Sequence, residues 1–296
     1  MSTEKEESQT RDPEIPVGKR ASIIYHYCST EAFASIVQSK QLWLSNSYAL
    51  SDYSENTWIV PQLRNKLAEL RSDTTAAYLD DIAKLYDLNN IAPYIASFSA
   101  NGDLLSQWRA YSNDATGVAI GFNSAAFNVK FRLPMPAAIL DLCIGLAPVL
   151  YDIEQQKAQV ARAIEQNLQL YLNKQVDQAN AMIASVSLLR RFACAFKNPA
   201  FSEEIEWRLI HVPLILSDAE GRITLQSAVS PLKFRAIKGK LTSYFEFPLK
   251  VDSSNQPIAE VVSGPKSEVS DSAIDLILNY NGYRKVVIRR STASYR

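Results

Sequence analysis

The segment 21–46, "ASIIYHYCSTEAFASIVQSKQLWLSN", changes its hydrophobic period twice, and that constrains the fold more than any other stretch of the chain. "ASIIYHYCS" alternates and is β-rich, "STEAFASIVQSK" opens on Ser29 and Thr30 with an acid close behind, and "QLWLSN" is β-prone again. A period of two marks a strand, and a capped run with apolar residues at helical spacing marks a helix. The segment predicts strand, helix, strand.

The same reading extends along the chain. Between 54 and 88 apolar residues recur at Leu63, Leu67 and Leu70, then at Leu79, Ile82 and Leu85, which predicts two helices. "YIASFS" predicts a strand, "DLLSQWRAYS" a short helix, and "GVAIGF" a strand introduced by the turn residues Asn113, Asp114 and Gly117. Helical spacing returns through Val160, Ile164, Leu168 and Leu172 and again through Ile183, Val186 and Leu189, enough for two long helices. "RITLQSAV", "KFRAIKG", "SYFEFPL" and "IAEVVSG" read as strands, "SDSAIDLILNYNG" as a helix ended by Gly282, and "KVVIRRS" as a last strand. The expected class is α+β, with helices inserted among mostly antiparallel strands. It forms one domain over 22–296 with helical insertions near 55–90 and 152–197, preceded by a disordered arm over 1–21.

Composition removes several functions. With 31 basic and 31 acidic residues the net charge is zero, so there is no global attraction for nucleic acid or anionic lipid, and only a local basic cleft stays open. The cysteines at 28, 143 and 194 are too few for a disulfide framework and point to a reducing cytosol; with only His26 and His211, no cluster has zinc-ligand spacing. The arm "MSTEKEESQTRDPEIPVGKR" has no apolar core of a secretory signal. The greasiest window, "LPMPAAILDLCIGLAPVLY", is interrupted by Asp141 and prolines and reads as buried core rather than a membrane span.

The stretch "NPAFSEEIEWRLIHVP" places Glu203, Glu204 and Glu206 at the entry to a bulky, β-prone run. On a strand, Glu204 and Glu206 would share a face, about 7 Å apart. The plain alternative is a solvated strand face with Arg208 as partner. No G-x-S-x-G, no complete phosphate-binding loop and no G-x-G-x-x-G occurs, so serine hydrolysis, P-loop chemistry and a dinucleotide fingerprint have no support. A nuclease using the acids to hold magnesium lacks an Asp-rich constellation.

Taken in order, "YHYCS", "LWLSNSYALSDYSE", "ASFSANGDLLSQWRAYSNDATGVAIGF", "EEIEWRLI" and "AEVVSGPKSEVSDSAIDLILNYNGYRKVVIRRSTASYR" resemble the bacterial family named domain of unknown function 2971, over about residues 22–296. The order of elements is also similar to the ADP-ribosyltransferase superfamily. That resemblance implies a split antiparallel β-sheet core with NAD as substrate and no metal, bound in a cleft between two small sheets. His26 would bind the cofactor on the first strand and Ser97 and Ser99 on a middle one, with Glu204 and Glu206 catalytic at the start of a late one. Glu206 would hold the ribose hydroxyl and Glu204 the acceptor. Tyr25, Trp108 and Tyr111 are further cofactor-binding candidates, with Trp43 and Tyr53 behind them; packing is the alternative for each aromatic. The terminal "RRSTASYR" reads as a solvated tail or a phosphate contact.

The expected function is NAD-dependent ADP-ribosyl transfer, or NAD hydrolysis, by a cytoplasmic toxin or phage-defence effector. Its acceptor would be a protein or a nucleic acid, with no membrane partner and with room for a cognate antitoxin or regulatory partner. The alternative is a non-catalytic module that uses the same fold to bind a nucleotide or partner.

Overall fold

A computed structural model describes residues 15–49, 57–88, 93–237 and 239–295. The first strand, β1 (Ile23–Cys28), runs into helix α1 (Thr30–Ser39) and strand β2 (Gln41–Asn46), as the switching period requires. Ser29 caps α1 by accepting a hydrogen bond from the Ala32 amide, and Lys40 ends it in the left-handed region at φ 54°. There follow α2 (Val60–Glu69), α3 (Ala76–Leu88), β3 (Tyr94–Ser99), α4 (Leu105–Tyr111) and β4 (Val118–Asn123). Next come a single turn α5 (Leu140–Cys143), β5 (Ile144–Pro148) and the long helices α6 (Ile153–Leu172) and α7 (Gln178–Ala193). The chain then forms β6 (Glu206–His211), β7 (Leu214–Ser217), β8 (Ile223–Gln226), β9 (Lys233–Ile237) and β10 (Lys240–Pro248). It closes with β11 (Ile258–Ser263), α8 (Asp271–Tyr280) and β12 (Val287–Arg290). Gly282, at φ +91°, lies just past α8, where a left-handed residue ends a helix without steric cost.

Instead of two small sheets, ten strands form one sheet in the order β12-β11-β4-β1-β3-β2-β10-β9, with β6 and β5 branching from β3. Only β11 and β12 pair in parallel among its named strands. The branch has a geometric reason. Strand β6 takes one whole edge of β3, from Tyr94 opposite His211 to Ser99 opposite Glu206. The other edge is shared: β2 pairs with Tyr94 and Ile95, while β1 pairs only at Ser99, through Tyr25. Strands β1 and β2 therefore splay apart, and Ala96, Ser97 and Phe98 face the gap between them with no strand partner on that edge.

One face of the sheet is closed by α1 and α8 over Ile24, Phe33, Val37, Phe122, Ile274 and Leu278. A separate core joins α2, α3, α6 and α7 through Leu63, Leu67, Ile82, Ile164 and Leu189. Burial of such side chains is worth about 1.5–3 kcal/mol each, and it is what holds the helical lobe together. The lobe is tied to the sheet by Gln156, whose amide accepts from Trp58 and Gln62 and donates to the carbonyls of Leu150 and Lys197.

Several expectations need correction. The greasy window is only partly core: Leu146 and Val149 are buried, but Ile139 and Leu140 are exposed on the turn before β5. Residues 1–14 of the expected arm lie outside the described residues; within 15–21 the Ile15 amide bonds to the Phe131 carbonyl and Arg20 stacks over the Phe131 ring. The basic C-terminal segment is docked rather than solvated. Thr292 bonds to Asp103 through its amide and hydroxyl, both at 2.8 Å, and the Tyr295 hydroxyl donates to Asp114. Among the described residues, no helix is long and apolar enough to cross a membrane.

Candidate functional site

The gap between β1 and β2 opens into a cavity of about 200 Å³. Its walls include Tyr25 and His26 from β1, Trp43 and Ser45 from β2, Ser97 from β3, Gln107 and Tyr111 from α4, and Lys197, Glu204 and Glu206. The register puts the His26 side chain on the opposite face of the sheet from Tyr25 and Ser99, because alternate residues on a strand alternate faces. Glu206, paired with Ser99, is also on the face away from the imidazole, which packs on Phe98 with ring centroids 5.8 Å apart. His26 and Glu206 border one cavity only through the gap between the strands. The imidazole sits at the gap, with Nδ1 3.0 Å from the Ser97 carbonyl, and so lines the same cavity as Glu206. A carbonyl only accepts, so Nδ1 carries the proton and Nε2 is left as the acceptor of the ring. Burial lowers the His26 pKa, the Ser97 contact opposes it, and the ring is held neutral.

The two glutamates meet, but not by strand alternation. Glu204 ends a 3-10 turn (Pro199–Glu204), Ile205 is left-handed at φ 45°, and only Glu206 opens β6. This turn reverses the chain enough to bring both carboxylates to one cation, with Lys197 Nζ 2.5 Å from Glu204 Oε2 and 3.1 Å from Glu206 Oε2. Arg208, next on the same face of β6, reaches Glu206 with Nε at 2.8 Å and Nη2 at 3.0 Å. Burial alone would raise the Glu206 pKa; Arg208, Lys197 and the Ser97 hydroxyl outweigh it and bring it to about 2. The plain alternative for this acid pair was right about Arg208 and wrong about solvent, since Glu206 and Arg208 are both buried. The Tyr151 hydroxyl accepts from the Glu206 amide at 3.1 Å, fixing where β6 starts.

The remaining candidates divide. Tyr25 lines the cavity with its hydroxyl donating to Glu260 at 2.7 Å. A Cβ at Gly102 would fall 2.3 Å from the Tyr25 ring, so glycine there is what lets the ring lie where it does. Tyr111 and Trp43 also line the cavity. Ser99 does not: it is buried, and its hydroxyl donates at 2.7 Å to the Glu204 carbonyl, holding the turn that carries the acids. Trp108 does not either; it is fully buried, edge-on to Tyr27, with its indole N–H on Asp103. Tyr53 lies outside the described residues.

Sequence reasoning missed Lys197, Gln107 and Ser45. The only signal for Lys197 was a single cation at the end of the apolar run "FACAF", where a lysine does not stay buried without acidic partners. Among the described residues, no group of three or more His, Cys, Asp or Glu side chains converges as metal ligands.

Comparison with curated proteins and with solved structures returns no match. The stretch from within α4 to within β6, residues 107–209, matches the family model described as Protein of unknown function (DUF2971), the family that the sequence resembles, and that stretch supplies Gln107, Tyr111, Lys197, Glu204 and Glu206 to the cavity.

Proposed function

We propose that the protein cleaves NAD at the bond between nicotinamide and ribose, passing ADP-ribose to a macromolecular acceptor or to water. A role as a toxin or phage-defence effector belongs to the same proposal. The observation that carries it is the convergence of His26, Ser97 and Glu206, far apart in sequence, on one cavity at the gap between β1 and β2. As the C–N bond breaks, its electron pair leaves with nicotinamide and the ribose becomes oxocarbenium-like; a carboxylate bonded to the adjacent hydroxyl stabilises that charge. Glu206 is ionised at neutral pH and suits this role. Its oxygens already accept from Arg208 and Lys197, so the ribose hydroxyl takes the place of Lys197, which keeps its contact with Glu204. Glu204 then orients the acceptor.

The cavity, at about 200 Å³, is smaller than the roughly 300–1,000 Å³ usual for ligand sites. It takes the nicotinamide riboside end, and the rest of the dinucleotide extends past the mouth. The cleft is thus narrower than the sequence reading expected.

One observation favours the alternative, a binding module without turnover: both acids are already neutralised by Lys197 and Arg208. Incubation with NAD, alone and with lysate or nucleic acid, separates the two. Release of free nicotinamide supports the enzyme, and binding of NAD without release in any mixture supports the module. NAD-derived label on a macromolecule distinguishes transfer from hydrolysis.

A further inference from the structure

The wall of the cavity continues beyond Trp43 and Ser45. Ser45 stands opposite Tyr244 on β10, and Thr242 on β10 stands opposite Arg235 on β9. Directly opposed residues share a face of a sheet, as do alternate residues of a strand, so Trp43, Ser45, Tyr244 and Arg235 lie on one surface leading away from the cavity. The Arg235 guanidinium lies 4.8 Å from the Trp43 ring centroid and 5.6 Å from that of Tyr244. Its Nη2 donates to the Ser45 hydroxyl at 2.8 Å. Its Nε is buried with no acceptor, and the acid on the same face, Glu246, is taken by Lys233 at 2.7 Å. A guanidinium keeps its charge and offers five N–H donors in a fixed plane that matches phosphate oxygens. Here it is half-buried against two rings that also touch each other, with centroids 4.6 Å apart, is oriented by a hydroxyl of the cavity wall, and has no carboxylate partner among the described residues.

We propose that Arg235 is a phosphate anchor and that the ligand of this site is a nucleoside phosphate, with its sugar in the cavity and its phosphate on the guanidinium. The inference rests on reading the cavity as a nucleotide site, and not on cleavage of the nucleotide. It supplies what the small cavity lacks, a place for the charged part of a ligand too long to be enclosed. Desolvation lowers the Arg235 pKa, which adds to the cost of leaving its charge uncompensated.

The test is calorimetric titration of the full chain with NAD, ADP and nicotinamide riboside. Wild type is expected to bind NAD and ADP more tightly than the riboside. Arg235→Gln should weaken NAD and ADP by about tenfold or more, as loss of a charge-assisted contact does, and leave the riboside unchanged; Arg235→Lys should recover part of the loss. Should Arg235→Gln not fold, Ser45→Ala, which frees the guanidinium from its wall contact, should weaken the same two ligands. Folded Arg235→Gln that binds NAD and ADP as wild type does overturns the assignment, and so does a wild type that binds none of the three. Arg235-dependent binding of ADP by a protein that releases no nicotinamide upholds the anchor and rejects NAD cleavage.

Discussion

Lys197 is the residue on which the site turns. A buried ammonium between two carboxylates is stable only while all three keep their partners, since removing one member of a buried ion pair costs roughly 3–5 kcal/mol. Lys197→Met is therefore expected to lower stability at pH 7 by about that amount, measured by urea unfolding. The gap to wild type should narrow as the pH falls toward 4, because protonating a carboxylate relieves the uncompensated charge; a gap constant with pH would contradict the ion-pair account. His211 gives a second pH signature. It is fully buried, its Nδ1 meets the Cys143 carbonyl and its Nε2 accepts from the Val229 amide, so protonation would break that second bond. Burial is the larger effect, opposed by the Cys143 contact, and it lowers the pKa from 6.5 to about 4. The neutral folded form then stabilises the protein fully above pH 6.5, and this is lost as pH falls toward 4, by on the order of 3 kcal/mol. In His211→Gln, which can offer the same donor and acceptor without titrating, the fall over that window should be smaller; equal slopes for the two proteins would reject the assignment. At this scale the sequence was legible where type and position were both informative, as at His26 and Glu206. It was silent on Lys197, because burial of a cation depends on partners that only the fold supplies.

Among the elements, the turn before β6 decides the geometry of the acids. Its strained residue is Ile205, a half-exposed β-branched side chain at φ 45°. Left-handed backbone costs such a residue about 1–2 kcal/mol, which glycine avoids. Ile205→Gly should hold the turn and gain up to about 1 kcal/mol in chemical unfolding, whereas Ile205→Pro, with φ locked near −65°, should destabilise the protein and separate the carboxylates. Stabilisation by proline would show that the left-handed turn is not needed. The strands and helices themselves were readable, because a change of period from two to three and four survives in the sequence, as in α1 between β1 and β2. Strand alternation failed at Glu204 for a physical reason: Asn198 and Pro199 start a 3-10 turn, Asn198 capping it at the Ala200 amide, and the strand begins only after Ile205. β5, hidden in the proline-broken window, was missed because proline masks strand patterning.

At the scale of the molecule, the sheet gap, the helical lobe and the C-terminal segment act on one cavity. The lobe holds the Lys197 carbonyl through Gln156, and the C-terminal segment holds α4 through Asp103, whose carboxylate takes Trp108, Ser291 and Thr292. Asp103→Ala should lose about 2–4 kcal/mol of stability and weaken NAD binding through Gln107 and Tyr111, which α4 presents; loss of stability with NAD affinity unchanged would separate the latch from the site. The resemblance placed His26, Ser97 and Glu206 in one cleft, but the gap that opens it and the two segments that brace it could not be read from sequence, because they depend on β1 and β2 sharing one edge of β3. The central claim, that Glu206 at this gap stabilises the breaking glycosidic bond, is tested most directly by nicotinamide release from NAD at neutral pH, comparing wild type with Glu206→Gln and Glu204→Gln, each verified as folded and able to bind NAD. The account predicts that Glu206→Gln falls by about 10²–10³ while Glu204→Gln keeps much of its slow hydrolysis and loses acceptor labelling. Full nicotinamide release by Glu206→Gln would contradict it.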